Sequence, residues 1–250
     1  MLKVRIIPVL LYRNHSLVKT VRFDAPRRVG TPQQAINVYN LREVDELVLL
    51  DIDATAQGRT PDLALIDELA DGCFMPFAVG GGIRSARDVA ELLRVGADKV
   101  VVNSGFAERP ELVREIADDF GTQAVVVSID ARRVDGRHRA FARNGRHPTG
   151  CTPSDLARRA EDQGAGEILL TSIDRDGTME GYDLDLVAEV ARRVTIPVIA
   201  CGGCGILGHM AEAVAAGASA AAAASMFHFT EQTPREAKLH LKDAGYAVRT

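Results

Sequence analysis

The chain has 250 residues, 46% of them hydrophobic, and a formal net charge of -4. That is a soluble globular composition for one or two domains, with ample chain for a large core. Its apolar runs, Ala220 to Ser225 among them, fall far short of the roughly 20 residues a membrane helix needs, and no basic and apolar leader opens the sequence, so a cytoplasmic protein is expected. The four cysteines at 73, 151, 201 and 204 do not resemble a disulfide framework.

Short β-rich runs alternate with helical patterns along the whole chain. The expected strands are 4–11, 46–52, 76–80, 98–103, 123–130, 166–172, 196–201 and 219–224. Between them lie amphipathic segments such as "PDLALIDEL" at 61–69 and "ARDVAELL" at 86–93, each with a proline or acid near its start. Eight such units in 250 residues fit a closed (β/α)8 TIM barrel with a parallel sheet.

An internal repeat supports closure. A shift of 121 positions lays 45–53 on 166–174, Gly81-Gly82 on Gly202-Gly203, Gly96-Ala97 on Gly217-Ala218, and Ser104-Gly105-Phe106 on Ser225-Met226-Phe227. Two half-barrels, about 1–121 and 122–250, within a single domain account for this register. For the first strand the shift is 119, and it places Leu11 of "RIIPVLLYRN" on Asp130 of "AVVVSIDARR".

Each half ends a strand in glycines, Gly80-Gly81-Gly82 and Cys201-Gly202-Gly203, where the backbone approaches a ligand closely and offers N–H groups to a phosphate. One unit later stand Asn103-Ser104-Gly105 and Ala224-Ser225, whose hydroxyls and amides complete a cradle on the same face. Two such cradles imply a small bisphosphate ligand. The cysteines of Cys201-Gly-Gly-Cys204 read as flanks of a glycine turn, because no second Cys/His pair completes a metal site; neither metal nor cofactor is expected. Two long loops, 12–30 and 131–152, are rich in arginine and lysine and should cover the face where an anionic substrate enters. Nucleic acid is not the expected guest, since aromatic stacking groups are not interleaved with the basic ones.

These stretches together carry a resemblance over nearly the whole chain. "AVGGGI" at 78–83, "GADKVVVNS" at 96–104, "GTQAVVVSID" at 121–130, "GAGEILLTSIDRDGT" at 164–178 and "IPVIACGG" at 196–203 resemble the HisF cyclase subunit of imidazole glycerol phosphate synthase. The resemblance implies a barrel paired with a HisH glutaminase, whose ammonia crosses the barrel and attacks phosphoribulosyl-formimino aminoimidazole carboxamide ribotide (PRFAR). The products are imidazole glycerol phosphate and aminoimidazole carboxamide ribotide (AICAR). It further implies that Arg5, Glu46, Lys99 and Glu167 form an ammonia gate at the bottom of the barrel, and that Asp98 and Gln123 face the glutaminase. Lys19 matches the family's mobile-loop lysine and Asp130 one of its two catalytic aspartates; Asp51, Thr171, Asp176, Gly177 and Thr178 match groups around the substrate.

Leu11 occupies the place of the other catalytic aspartate, and a leucine transfers no proton. His15 and Asp53 are the candidate replacements. "PVLLYRNHSLVKTVRF" and "CFMPFAVGGG" look more like HisF paralogues associated with surface-polysaccharide synthesis, which would pass ammonia to a separate sugar-modifying amidotransferase. The ending "SMFHFTEQTPREAKLHLKDAGYAVRT" looks like the histidine-pathway enzyme. An isomerase related to the one of that pathway shares the two-phosphate barrel but gives the charge gate no purpose.

Overall fold

Side chains alternate across a β-strand, so each apolar strand of this chain feeds two cores. Ile7, Val9, Val48, Ala78, Val101, Val126, Leu169, Ile199, Ala220 and Ala222 meet in one buried cluster; Ile6, Leu10, Leu47, Leu49, Val100, Val127, Ile168 and Leu170 belong to another, shared with the helices. In the computed structural model, which describes residues 3–249, the first cluster is the inside of a barrel and the second the layer between barrel and helices.

The described strands are β1 (Arg5–Arg13), β2 (Ser16–Val21), β3 (Asp24–Gly30), β4 (Leu47–Asp51), β5 (Phe77–Gly80), β6 (Lys99–Val102), β7 (Val125–Val134), β8 (Arg137–Ala142), β9 (His147–Pro148), β10 (Glu167–Ser172), β11 (Val198–Cys201) and β12 (Ala220–Ala223). Eight of them, β1, β4, β5, β6, β7, β10, β11 and β12, pair in parallel in that order, and β12 returns to β1 to close the (β/α)8 barrel. The half-barrel register persists in the elements. The helices Pro32–Leu41 and Ala86–Arg94 reappear 121 residues later as Pro153–Asp162 and Leu207–Ala215, and β5 and β6 reappear as β11 and β12 at the same offset.

The two arginine-rich segments expected as loops are β-hairpins instead. β1 runs on past the barrel and folds back as β2 and β3, while β7 runs on to Val134 and folds back as β8 and β9. Their tight turns lie at Asn14-His15 and Asp135-Gly136, all four residues with positive φ, which is the backbone of a two-residue hairpin connection.

The C-terminal helix Pro234–Asp243 is fastened beneath β1 by a buried ion pair. Lys238 Nζ lies 2.9 Å from Asp45 and donates to the Glu43 carbonyl at 2.6 Å, and Asp45 accepts the Ile6 amide at 2.8 Å. Removing one partner of such a pair leaves an uncompensated buried charge. Lys238→Met should therefore lower the unfolding free energy by about 3 kcal/mol in a urea titration, and Asp45→Asn added to it should recover part of the loss. Equal midpoints for parent and Lys238→Met would show that the pair contributes nothing.

Candidate functional site

At the N-terminal end of the barrel four charged side chains enter the interior from β1, the start of β4, β6 and β10. Arg5 donates to Glu46 at 2.6 Å and to Glu167 at 3.0 and 3.1 Å; Lys99 donates to Glu46 at 2.9 Å and to Glu167 at 3.2 Å. Each cation thus touches both carboxylates, and each carboxylate both cations, closing a ring across the barrel base. Glu46 is 2% exposed, a burial that only opposite charges at contact make tolerable. Glu46 Oε1 has no hydrogen-bond partner among the described residues. Asp98 and Gln123 lie exposed at this same end, where Asp98 accepts the Phe77 amide at 2.8 Å and Gln123 donates to the Phe120 carbonyl at 3.0 Å.

Above the ring the interior is apolar, Ser128 of β7 apart, as far as the C-terminal mouth, and Leu11 belongs to this column. Its side chain packs on the interior cluster with Leu50, Cys201 and Ala224. Position 11 therefore faces the barrel interior, on the same side of β1 as Ile7 and Val9. Cys201 faces inward while Cys204 lies in the helix-side core, so the two thiols of the CxxC spacing diverge.

Asp130 stands at the mouth of the column, 8% exposed, in register with Thr171. Asn103 Nδ2 lies 3.3 Å from its carboxylate and donates to the Ser128 carbonyl at 3.0 Å. Burial, reinforced by the charge of Asp176, pushes the Asp130 carboxyl up to about 7. Asp176 is itself shifted upward by burial against the opposing pull of Lys19. Lys19 is 5% exposed, and burial lowers its pKa against the same Asp176. His228, half-buried beside Lys19, is held down to about 4 by burial and then by that lysine's charge.

The first hairpin carries Lys19 into place. Thr20 Oγ1 donates to Asp176 at 2.8 Å, the Arg22 amide donates to the Asp176 carbonyl at 2.8 Å, and Arg27 stacks over Phe229 at 5.7 Å. A Cβ on Gly177 would lie 2.1 Å from the Thr20 carbonyl, so this crossing needs a glycine there.

The glycine turns are equally constrained. Gly82 and Gly203 have φ of +67° and +102°, and a Cβ on either would strike a carbonyl oxygen, at 1.9 Å from Arg59 or 2.1 Å from Gly181. Beside Gly81-Gly82 stands Asn103-Ser104, and beside Gly202-Gly203 stands Ala224-Ser225. Both lead into helices, Ser104–Glu108 and Ser225–Phe229, that start without a side-chain cap and so leave first-turn amides to other acceptors.

Several expected site residues are committed elsewhere. Asp51 is held by Arg59 at 2.5 and 3.2 Å and accepts the Asp53 and Ala54 amides at 3.1 Å each, anchoring the loop after β4. The Thr178 hydroxyl closes its own turn onto the Arg175 carbonyl at 2.8 Å. Asp53 is paired with Arg13 at 2.9 Å, and exposed His15 meets the Tyr12 hydroxyl at 3.3 Å, on the helix side of β1. Neither candidate replacement for an acid at position 11 therefore joins the interior cluster. His228 was missed by sequence reasoning; within "SMFHF" it reads as one more residue of a short helix.

A closed (β/α)8 barrel with buried ionisable groups of shifted pKa, Asp130, Asp176, Lys19 and His228, at its C-terminal mouth has the layout on which enzymes of this fold build active sites. A family described as "Histidine biosynthesis protein" matches residues 5–233. Two curated relatives, the imidazole glycerol phosphate synthase subunit HisF of Streptomyces coelicolor and that of Streptomyces avermitilis, are each 47% identical over 249 residues, 99% of this chain and 99% of theirs. The chain belongs to the HisF family of cyclase subunits. No helix among the described residues is long and apolar enough to cross a membrane.

Because Asp130 holds its proton to about pH 7 in the fold and releases it near 4 when unfolded, the native state binds the extra proton between those values. Stability should fall as pH rises through that window and stay lowered above it. Asp130→Asn abolishes the effect, so its stability gain over the parent should be on the order of 2 kcal/mol larger at pH 8 than at pH 5. Parallel stability curves for the two proteins would place the carboxyl in an ordinary environment.

Proposed function

We propose that this chain is a cyclase subunit of imidazole glycerol phosphate synthase that takes ammonia from a HisH-type glutaminase and converts PRFAR to imidazole glycerol phosphate and AICAR. The observation that carries the reading is the charge ring of Arg5, Glu46, Lys99 and Glu167 at one end of an apolar column whose other end opens at Asp130. A neutral ammonia molecule suits such a column, where an ammonium ion would lose its hydration. The column is lined in part by the small side chains of Ala78, Ala220 and Ala222, and the free Glu46 Oε1 offers an acceptor to an N–H passing the ring. Asp98 and Gln123, exposed beside the ring, would meet the glutaminase.

At the mouth, the substrate's two phosphates would lie on Gly81-Gly82 with Asn103-Ser104 and on Gly202-Gly203 with Ala224-Ser225. Between them Asp130 retains a proton near neutrality and so suits a general acid that later serves as base. The buried Lys19 ammonium adds positive charge above an anionic substrate, and Asp176 and Thr20 hold its hairpin across the mouth.

Leu11 favours a second reading, in which the chain conducts ammonia from a glutaminase to a separate amidotransferase. General acid–base catalysis contributes about 10²–10⁴-fold, so the loss of one group lowers turnover without removing binding. Ammonia-dependent turnover of PRFAR, supplied with ammonium salt at alkaline pH, separates the readings. We expect measurable turnover in the parent and an increase of about 10²-fold or more in Leu11→Asp. Silence in the parent with activity in Leu11→Asp would favour the conductor, and silence in both would overturn the cyclase.

A further inference from the structure

His138 lies on β8, 7% exposed, outside the groups assigned above. Its Nδ1 is 3.0 Å from Glu189 Oε2 and its Nε2 is 3.1 Å from Asp183 Oδ2. A carboxylate only accepts hydrogen bonds, so a ring that faces two carboxylates donates from both nitrogens and is an imidazolium. Both acids belong to the helix Leu184–Ala191 or its cap: Asp183 also accepts the Leu186 amide at 3.1 Å, and Glu189 accepts the Ser154 hydroxyl at 2.8 Å. The remaining charges beside this cluster are Arg133 of β7, 3.7 Å from Asp183, and Asp185, which Arg133 meets at 2.9 Å.

The hairpin that His138 fastens also roofs the first glycine cradle. Phe141 is the register partner of Asp130, and its carbonyl lies 3.4 Å from Asn103 Nδ2. Beyond it the Arg143 amide donates to Ser104 Oγ at 3.1 Å, and Asn144 donates to the Ile52 carbonyl at 2.5 Å. One face of β8 is thus pinned to the helix after β10, and the far end of the same hairpin rests on the Asn103-Ser104 turn.

We propose that His138 is a positioning residue whose imidazolium, held between Asp183 and Glu189, clasps the β7–β8 hairpin over the first anion cradle and releases it on deprotonation. The inference rests on reading that cradle as an anion site, but the clasp itself does not depend on the cyclase reaction. The Asp183 hydrogen bond, against the opposing effect of burial, holds the His138 pKa above the ordinary histidine value. By linkage, the stabilisation is fully present below the ordinary value and is lost as pH rises through the elevated one.

The test follows the full chain from pH 5.5 to 9 by three readouts: histidine NMR titration, hydrogen-exchange protection factors for residues 137–146, and affinity for inorganic sulfate, whose charge is constant over that range. In the parent, His138 should titrate above ordinary histidine values, and hairpin protection and sulfate affinity should each fall several-fold with the same midpoint. His138→Gln should remove from both the component whose midpoint matches the His138 titration, leaving a weaker hairpin and only the component that Asp130 contributes at about 7. Glu189→Gln, which keeps a hydrogen-bond acceptor but removes a charge, should move the step to lower pH.

A His138 that titrates at or below the ordinary value, or protection without a step, would overturn the clasp. A protection step that sulfate affinity does not follow would overturn the positioning role. If all three readouts behave as expected while PRFAR turnover is absent from both the parent and Leu11→Asp, the clasp stands and the cyclase reading fails.

Discussion

A buried charge is tolerated only against its opposite, and the base of this barrel is organised by that constraint. Arg5, Lys99 and Glu167 come from three strands and Glu46 from the residue just before a fourth, β4, and each is within hydrogen-bond distance of both charges of the other sign. The barrel must close with β1, β4, β6 and β10 in one register for all four contacts to form. A slip of a single residue would turn one charge out toward the helices and leave its partners desolvated. A ring with two charges of each sign fixes register while adding no net charge to the end of an apolar column.

The mouth follows the opposite rule. There the ionisable groups, Asp130, Asp176, Lys19 and His228, are buried but incompletely compensated, and burial is the largest cause of the shift for each of them. Every such shift favours the neutral form, which for a carboxylic acid is the form that donates a proton. Paired charges give rigidity at the base; at the mouth, burial without full pairing leaves Asp130 able to exchange a proton near neutrality.

Most of this plan was legible in the sequence because it rests on short-range pattern. The eight barrel strands alternate with helices, the 121-residue shift exposes the repeat, and the glycines stand where a Cβ would strike a carbonyl. The four ring residues stood out only through resemblance, since a charge at a strand start looks the same whether it meets solvent or a ring. The two hairpins were read as basic loops over the substrate face because their charge hides the strand alternation, although Asp135-Gly136 is a strong turn signal between two strands. Asp51 is matched to a group around the substrate by resemblance alone. Its four hydrogen bonds come from Arg59 and from loop amides, partners that strand periodicity does not reveal. The His138 cluster joins residues 45 to 51 positions apart, and nothing local to His138 announces it.

Leu11 is more than a missing acid, because it changes the electrostatics of the acid that remains. It carries the apolar column up to the level of Leu50, Cys201 and Ala224, so that β1 presents hydrocarbon to the interior there. Placing an aspartate at position 11 adds a buried negative charge to a site where Asp176 already raises the cost of ionising Asp130. The cation on hand to offset it is Lys19, which forms no ion pair within 4 Å among the described residues and is buried at that mouth. The gain from restoring a proton-transfer group at position 11 is therefore coupled to Lys19, and through Thr20 and Asp176 to the hairpin that holds it. Loosening that hairpin should withdraw the compensating charge, so the acid and the hairpin form one electrostatic unit and not two independent devices.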